Sequence, residues 1–103
     1  MSQRIIAIDQ STSSGKALLF DDQCRLLART NVDHQQYYPQ TGWVEHDAEE
    51  IYRNMVEAIH QLVGDEAKTG QHTYSIAITN QRETAVVWNK TTGHPIANAV
   101  VWQ

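Results

Sequence analysis

Disulfide chemistry is closed to this chain. Of its 103 residues only Cys24 is a cysteine, so no internal bridge can form and no second thiolate exists to make a metal knuckle. Such usage fits a reducing compartment. Long apolar runs are missing as well. Ile5-Ile6-Ala7-Ile8 follows directly on Arg4 and meets a carboxylate at Asp9. A signal peptide needs a longer apolar core, and a membrane span needs about 20 apolar residues. A cytoplasmic protein without a membrane span is therefore expected. Basic residues are scarce, 8 Lys and Arg against 12 Asp and Glu for a formal net charge of −4, the opposite of the basic stripe that holds a phosphate backbone. No nucleic-acid partner is expected. Glycine and proline number only 5 and 2, which removes collagen-like and low-complexity classes. What remains is 41% hydrophobic and 19% charged, an ordinary globular composition at a length that suits one domain.

Short apolar runs predict two or three short strands, at 4–8, 16–20 and 25–29, with Asp21-Asp22-Gln23 as a polar hairpin turn. A polar stretch from 31 to 46 has no sustained period and reads as strand end plus loop. A helix then starts at Asp47, a capping residue, with Glu50 three positions on to complete a capping box. At 100° per residue Ile51, Tyr52, Met55, Val56, Ile59, Leu62 and Val63 share one face, and Gly64 supplies the stop. Such a stripe needs a sheet beneath it. The sheet resumes at 74–79, is interrupted by Asn80-Gln81-Arg82-Glu83, and continues through 84–88 to a hairpin turn at 89–93. A last strand at 97–102 runs to the end without a polar tail, so the chain is expected to be a fragment of something longer.

Two clusters stand out chemically. Between the first strands lies Gln10-Ser11-Thr12-Ser13-Ser14-Gly15, almost wholly small hydroxyl residues, with Asp9 before it and Lys16 after it. A Walker P-loop is excluded, because Gln10 replaces the first glycine, Ala17 follows the lysine, and a strand rather than a helix comes next. Two readings stay open: a hydroxyl-rich turn beside an exposed Asp, or a tight hairpin whose amides and hydroxyls face phosphates while the carboxylate reaches a hydrated Mg²⁺. At Arg82-Glu83 a five-donor guanidinium stands beside an acceptor-only carboxylate, a pair suited either to adjacent ligand hydroxyls or to an internal ion pair. Trp102 offers either an apolar face to a carbon backbone or a core side chain. The five histidines show no metal-ligand spacing, Asp47 in Glu45-His46-Asp47 is better explained as the helix cap, and no G-x-S-x-G elbow is present.

Four stretches, 8–17, 38–47, 78–84 and 100–103, together resemble the amino-terminal end of the FGGY family of carbohydrate kinases, its glycerol kinase-like members in particular. The stretch from Gly42 to Asp47 and the Asn80-Gln81-Arg82-Glu83-Thr84 block carry the more specific part. Ser11 stands where a glycine is usual, and Gly15-Lys16 where Ser-Arg is usual; lysine is a point charge without a bidentate fork.

The resemblance implies an α/β fold of the ribonuclease H-like, actin-like ATPase kind, a mixed sheet with a helix packed on one face. Residues 1–103 would form the amino-terminal part of the first, substrate-binding domain. It implies ATP and Mg²⁺ as cofactors, with Asp9 on the metal and Thr12, Ser13, Ser14 and Lys16 on the nucleotide phosphates. Arg82 and Glu83 would bind the hydroxyls of a polyol or sugar, and Trp102 would pack on its carbons. No catalytic base is expected within the chain: the resemblance places it beyond Gln103, so the fragment alone should be inactive. Homo-oligomer formation by the full-length enzyme stays open. Two other readings compete: a non-catalytic binding module of the same fold, and a ribonuclease H-like nuclease, against which the acidic charge and the lack of a close carboxylate cluster count.

Overall fold

The computed structural model describes residues 2–80 and 84–101. The strands are β1 (Ser2–Gln10), β2 (Ser14–Asp21), β3 (Leu26–Asp33), β4 (Glu45–His46), β5 (His72–Thr79) and β6 (Ala99–Val100); the helix α1 (Ala48–Val63) continues into a 3-10 turn at Gly64–Thr69. A four-stranded mixed sheet has the order β3-β2-β1-β5, with β5 parallel to β1 and the other pairs antiparallel. The first three strands thus form the expected antiparallel opening, and each runs longer than its apolar core.

Register decides which face is buried. Ile6 pairs with Leu19 and Ile8 with Ala17, and because side chains alternate across a strand all four point to one side. α1 lies on that side, mainly over β2 and β3, with Ala58 and Leu62 completing the buried cluster and Met55, Ile59 and Val63 packed around it. The Thr30 hydroxyl donates to the Ala58 carbonyl at 2.8 Å, so the helix approaches β3 closely over its smallest core residue. Tyr52, expected on the buried stripe, is instead exposed and lines a concavity of about 580 Å³ between the start of α1 and residues 86–95. The apolar stripe is wider than the part of the sheet the helix covers.

The hairpin turn holds at Asp21. Its carboxylate accepts from the backbone of Gln23 and Arg25, both at 2.9 Å, and from Arg25 Nε at 2.8 Å, and those bonds hold it below the usual carboxylate range, the Arg25 amide first. Cys24 takes the left-handed position with φ 62°. A bulge follows, so Leu19 faces Ala28 but Phe20 faces Leu26.

The stretch at 84–88 departs from expectation. It forms only isolated bridges, Ala85 with Val100 and Trp88 with Pro95, and among the described residues of the expected final strand only β6 is strand, paired with β4. Val87 and Trp88 are exposed, so this stretch lacks the buried face that makes a ladder worth its backbone entropy, and Pro95 has no N–H to give a second bond. The turn at 89–93 does form: Asn89 Oδ1 accepts from the Thr91 and Thr92 amides at 2.8 and 3.2 Å, and Gly93 adopts φ 79°. No helix among the described residues is long and apolar enough to cross a membrane.

Candidate functional site

β1 and β5 run parallel and end side by side, with Asp9 paired to Thr79. In open α/β sheets ligands bind beyond the carboxyl ends of such strands. The Thr79 hydroxyl donates to Asp9 Oδ1 at 3.0 Å, fixing the carboxylate while leaving it partly open to solvent. Lys16 stands directly opposite Asp9 on β2. By strand alternation Asp9, Lys16 and Thr79 project from the face opposite α1. Lys16 also shares an open concavity of about 390 Å³ with Arg29, Leu18, Thr30 and Asn31.

The hydroxyl-rich connection closes as a tight turn, in which the Ser11 amide and hydroxyl both donate to the Ser14 carbonyl, at 3.0 and 2.9 Å. Thr12 and Ser13 form its tip; Ser13 is exposed, while Ser14 is buried at 4%. The tip is held from behind. The His34 amide donates to the Ser13 carbonyl at 2.9 Å, and Gln36 Nε2 donates to the Thr12 carbonyl at 3.3 Å. In a planar trans peptide the C=O and the following N–H point in opposite directions, so the Ser13 and Ser14 amides are turned away from residues 34–36. That is the orientation an anion-binding turn requires.

Gly15 makes a close approach at this turn. A Cβ there would collide with the sulfur of Met55 on α1. Around this contact lies a polar cluster that sequence reading missed. Asn54 Nδ2 donates to the Asp33 carbonyl at 3.2 Å and to His34 Nδ1 at 3.0 Å. The other ring nitrogen of His34, Nε2, meets the Gln10 carboxamide, 2.9 Å from Gln10 Nε2 and 3.2 Å from Gln10 Oε1. Burial first, and then His46, push the His34 imidazole below its ordinary 6.5, against the opposite pull of Glu50 and Asp33. The His46 ring centre is 6.0 Å away, and His46, fully buried at 0% exposure, meets Gln36 Oε1 at 2.7 Å. Glu50 closes the cluster, accepting from the Gln35 amide at 2.7 Å and the Tyr37 hydroxyl at 3.1 Å. One signal could have revealed His34: Ala28, Thr30, Val32 and His34 share a parity, the first three on the helix side.

No group of three or more His, Cys, Asp or Glu among the described residues could cage a metal ion. Where a turn of this kind faces phosphates, a single carboxylate beside it suits Mg²⁺, which keeps several waters and leans on one or two carboxylates plus substrate phosphates. Arg82, Glu83 and Trp102, expected at the acceptor hydroxyls and carbons, lie outside the described residues. Gln103, beyond which the catalytic base is expected, lies outside them too.

Comparison with known proteins gives the family. The model of the N-terminal domain of the FGGY family of carbohydrate kinases matches residues 4–103. Glycerol kinase 1 of Thermotoga maritima is 48% identical over 99 residues, 96% of this chain and 20% of that protein. The glycerol kinase of Renibacterium salmoninarum is 48% identical over 103 residues, 100% of this chain and 20% of its own length. Among solved structures, Plasmodium falciparum glycerol kinase with ADP superposes at a TM-score of 0.83 with 36% identity, over 98% of this chain and 20% of that one. The xylulose kinase of Rhodospirillum rubrum, at 18% identity, shares the fold alone, with a TM-score of 0.84 over 95% of this chain and 20% of that one. The chain spans about a fifth of the length of these relatives. Its mixed sheet and packed helix are those of the actin-like, ribonuclease H-like ATPases, and by sequence and fold together it belongs to the FGGY family of carbohydrate kinases, matching the model of that family's N-terminal domain.

Proposed function

We propose that the protein bearing this chain is an ATP-dependent carbohydrate kinase that transfers the γ-phosphate to a hydroxyl of a polyol or sugar, glycerol or a related polyol first. Residues 1–103 are its part of the first, substrate-binding domain. A cytoplasmic location goes with this reading, supported by the single cysteine and the short apolar runs. The supporting observation is Asp9 at the carboxyl end of β1, opposite Lys16 and next to a turn whose Ser13 and Ser14 amides are turned away from residues 34–36. Mg²⁺, held through Asp9, would supply charge neutralisation on the phosphate oxygens. The turn binds the phosphates through backbone N–H groups and the Thr12 and Ser13 hydroxyls, with buried Ser14 acting through its backbone. Lys16 offsets phosphate charge across the strand pair. Arg82 and Glu83 donate to and accept from acceptor hydroxyls, and Trp102 packs on the carbons. The proton of the attacking hydroxyl goes to a base beyond Gln103, outside this chain.

The test is Asp9→Asn in the full-length protein. Its work on metal and developing phosphate charge matters most in the transition state, so kcat should fall at least a hundredfold while acceptor KM changes little. Unchanged kcat at saturating Mg²⁺ would remove Asp9 from the site.

A further inference from the structure

The tip of the hydroxyl turn is held by the His34 amide on the Ser13 carbonyl and by the Gln36 carboxamide on the Thr12 carbonyl, and that carboxamide in turn meets a buried histidine. Gln36 Nε2 donates to two backbone carbonyls, Thr12 at 3.3 Å and His34 at 3.4 Å, so its oxygen faces the other way, toward His46 Nε2 at 2.7 Å. A carboxamide oxygen only accepts, which places the His46 hydrogen on Nε2. His46 is fully buried, belongs to β4 and pairs there with Ala99 of β6. The relay therefore runs from the small β4-β6 sheet, through one imidazole and one carboxamide, to the backbone of the turn.

We propose that His46 and Gln36 are positioning residues for nucleotide phosphate binding: they hold the Thr12 carbonyl inward so that the Ser13 amide is presented outward. This deepens the kinase reading and rests on it. In this reading both side chains act through the backbone of the turn and not on the nucleotide. Without the Gln36 donor the Thr12 carbonyl loses one of the bonds that hold it inward, and the amide aimed at phosphate is held less firmly in its prepared orientation.

Gln36→Glu is the sharpest variant, because it keeps shape and volume while setting a carboxylate oxygen against the two carbonyls. In the full-length protein it should raise KM for ATP about tenfold, the worth of one well-placed hydrogen bond, and leave acceptor KM within about twofold. His46→Leu should act in the same direction, and His46→Gln, whose amide nitrogen falls near the imidazole Nε2, should restore most of the loss. Gln36 is only half-buried, so its variant carries the test even if His46→Leu fails to fold. An unfolding midpoint that drops while ATP KM stays put, or equal rises in both KM values, would overturn the proposal. Asp9→Asn measured beside them separates the two failures. If Asp9→Asn lowers kcat and Gln36→Glu leaves ATP KM alone, only the positioning role falls; if neither substitution matters, the kinase site falls with it.

Discussion

Gly15 shows how one missing Cβ can serve both the core and the site. Its neighbour across the sheet-helix gap is the Met55 thioether, an unbranched and adaptable side chain. Gly15→Ala should therefore cost only about 1 kcal/mol, as Met55 turns aside, whereas Gly15→Val should approach the ~3 kcal/mol of an overpacked core. Urea unfolding of the 103-residue chain measures both, and Met55→Ala added to Gly15→Ala should recover part of the loss, since the new methyl enters the space the thioether leaves. At this scale the sequence was partly legible. Asp9, Lys16 and the hydroxyl run are contiguous and chemically unusual, so they could be singled out without coordinates. His34, Gln36, His46 and Asn54 could not, because their meaning lies in partners 10 to 24 residues away. Isolated polar residues in a stretch without period look like loop, and only the parity from Ala28 to His34 hinted otherwise.

Helix α1 begins where its capping residue said it would. Asp47 Oδ1 accepts from the Glu49 amide at 3.0 Å and the Glu50 amide at 3.4 Å. Asp47→Ala should then lower stability by about 1 kcal/mol, read as a lower thermal midpoint. The expected capping box is replaced by another use of Glu50, whose carboxylate reaches outward to Gln35 and Tyr37. Glu50→Gln should accordingly leave helix content alone by circular dichroism and loosen residues 35–37, seen as faster amide exchange at Gln35. The helix and the long strands were readable because periodicity and capping are local properties. Residues 84–88 misled for a related reason: an apolar run states a need for burial, not the partner that meets it.

On the scale of the whole molecule, two ends of the sheet respond to pH in different windows. Near its far end Glu66 accepts from the Tyr74 hydroxyl at 2.7 Å and faces Arg4 Nε at 3.4 Å. Burial and then the Glu66 bond push Tyr74 up to about 12. A pKa raised on folding from the ordinary 10.0 gives stability that is complete below about pH 10 and is lost as pH climbs toward about 12. His34 acts oppositely. Its folded value lies below the ordinary 6.5, so the unfolded chain takes up the proton first and stability falls as pH drops beneath about 6.5. Chemical denaturation from about pH 7 to 5 should show that slope, and His34→Gln should flatten it. The 103-residue chain should show no phosphotransferase activity of its own, since phosphoryl transfer needs nucleotide, metal, acceptor and base held together; an ATP and polyol assay checks this. β5 carries a separate consequence. Among the described residues it pairs only with β1, and Ile76 and Ile78, on the side that α1 covers farther along the sheet, are 57% and 69% exposed. During synthesis, this amino-terminal unit would emerge from the ribosome with an open strand edge and a bare apolar strip, the surface that chaperones recognise and that draws nascent chains into aggregates.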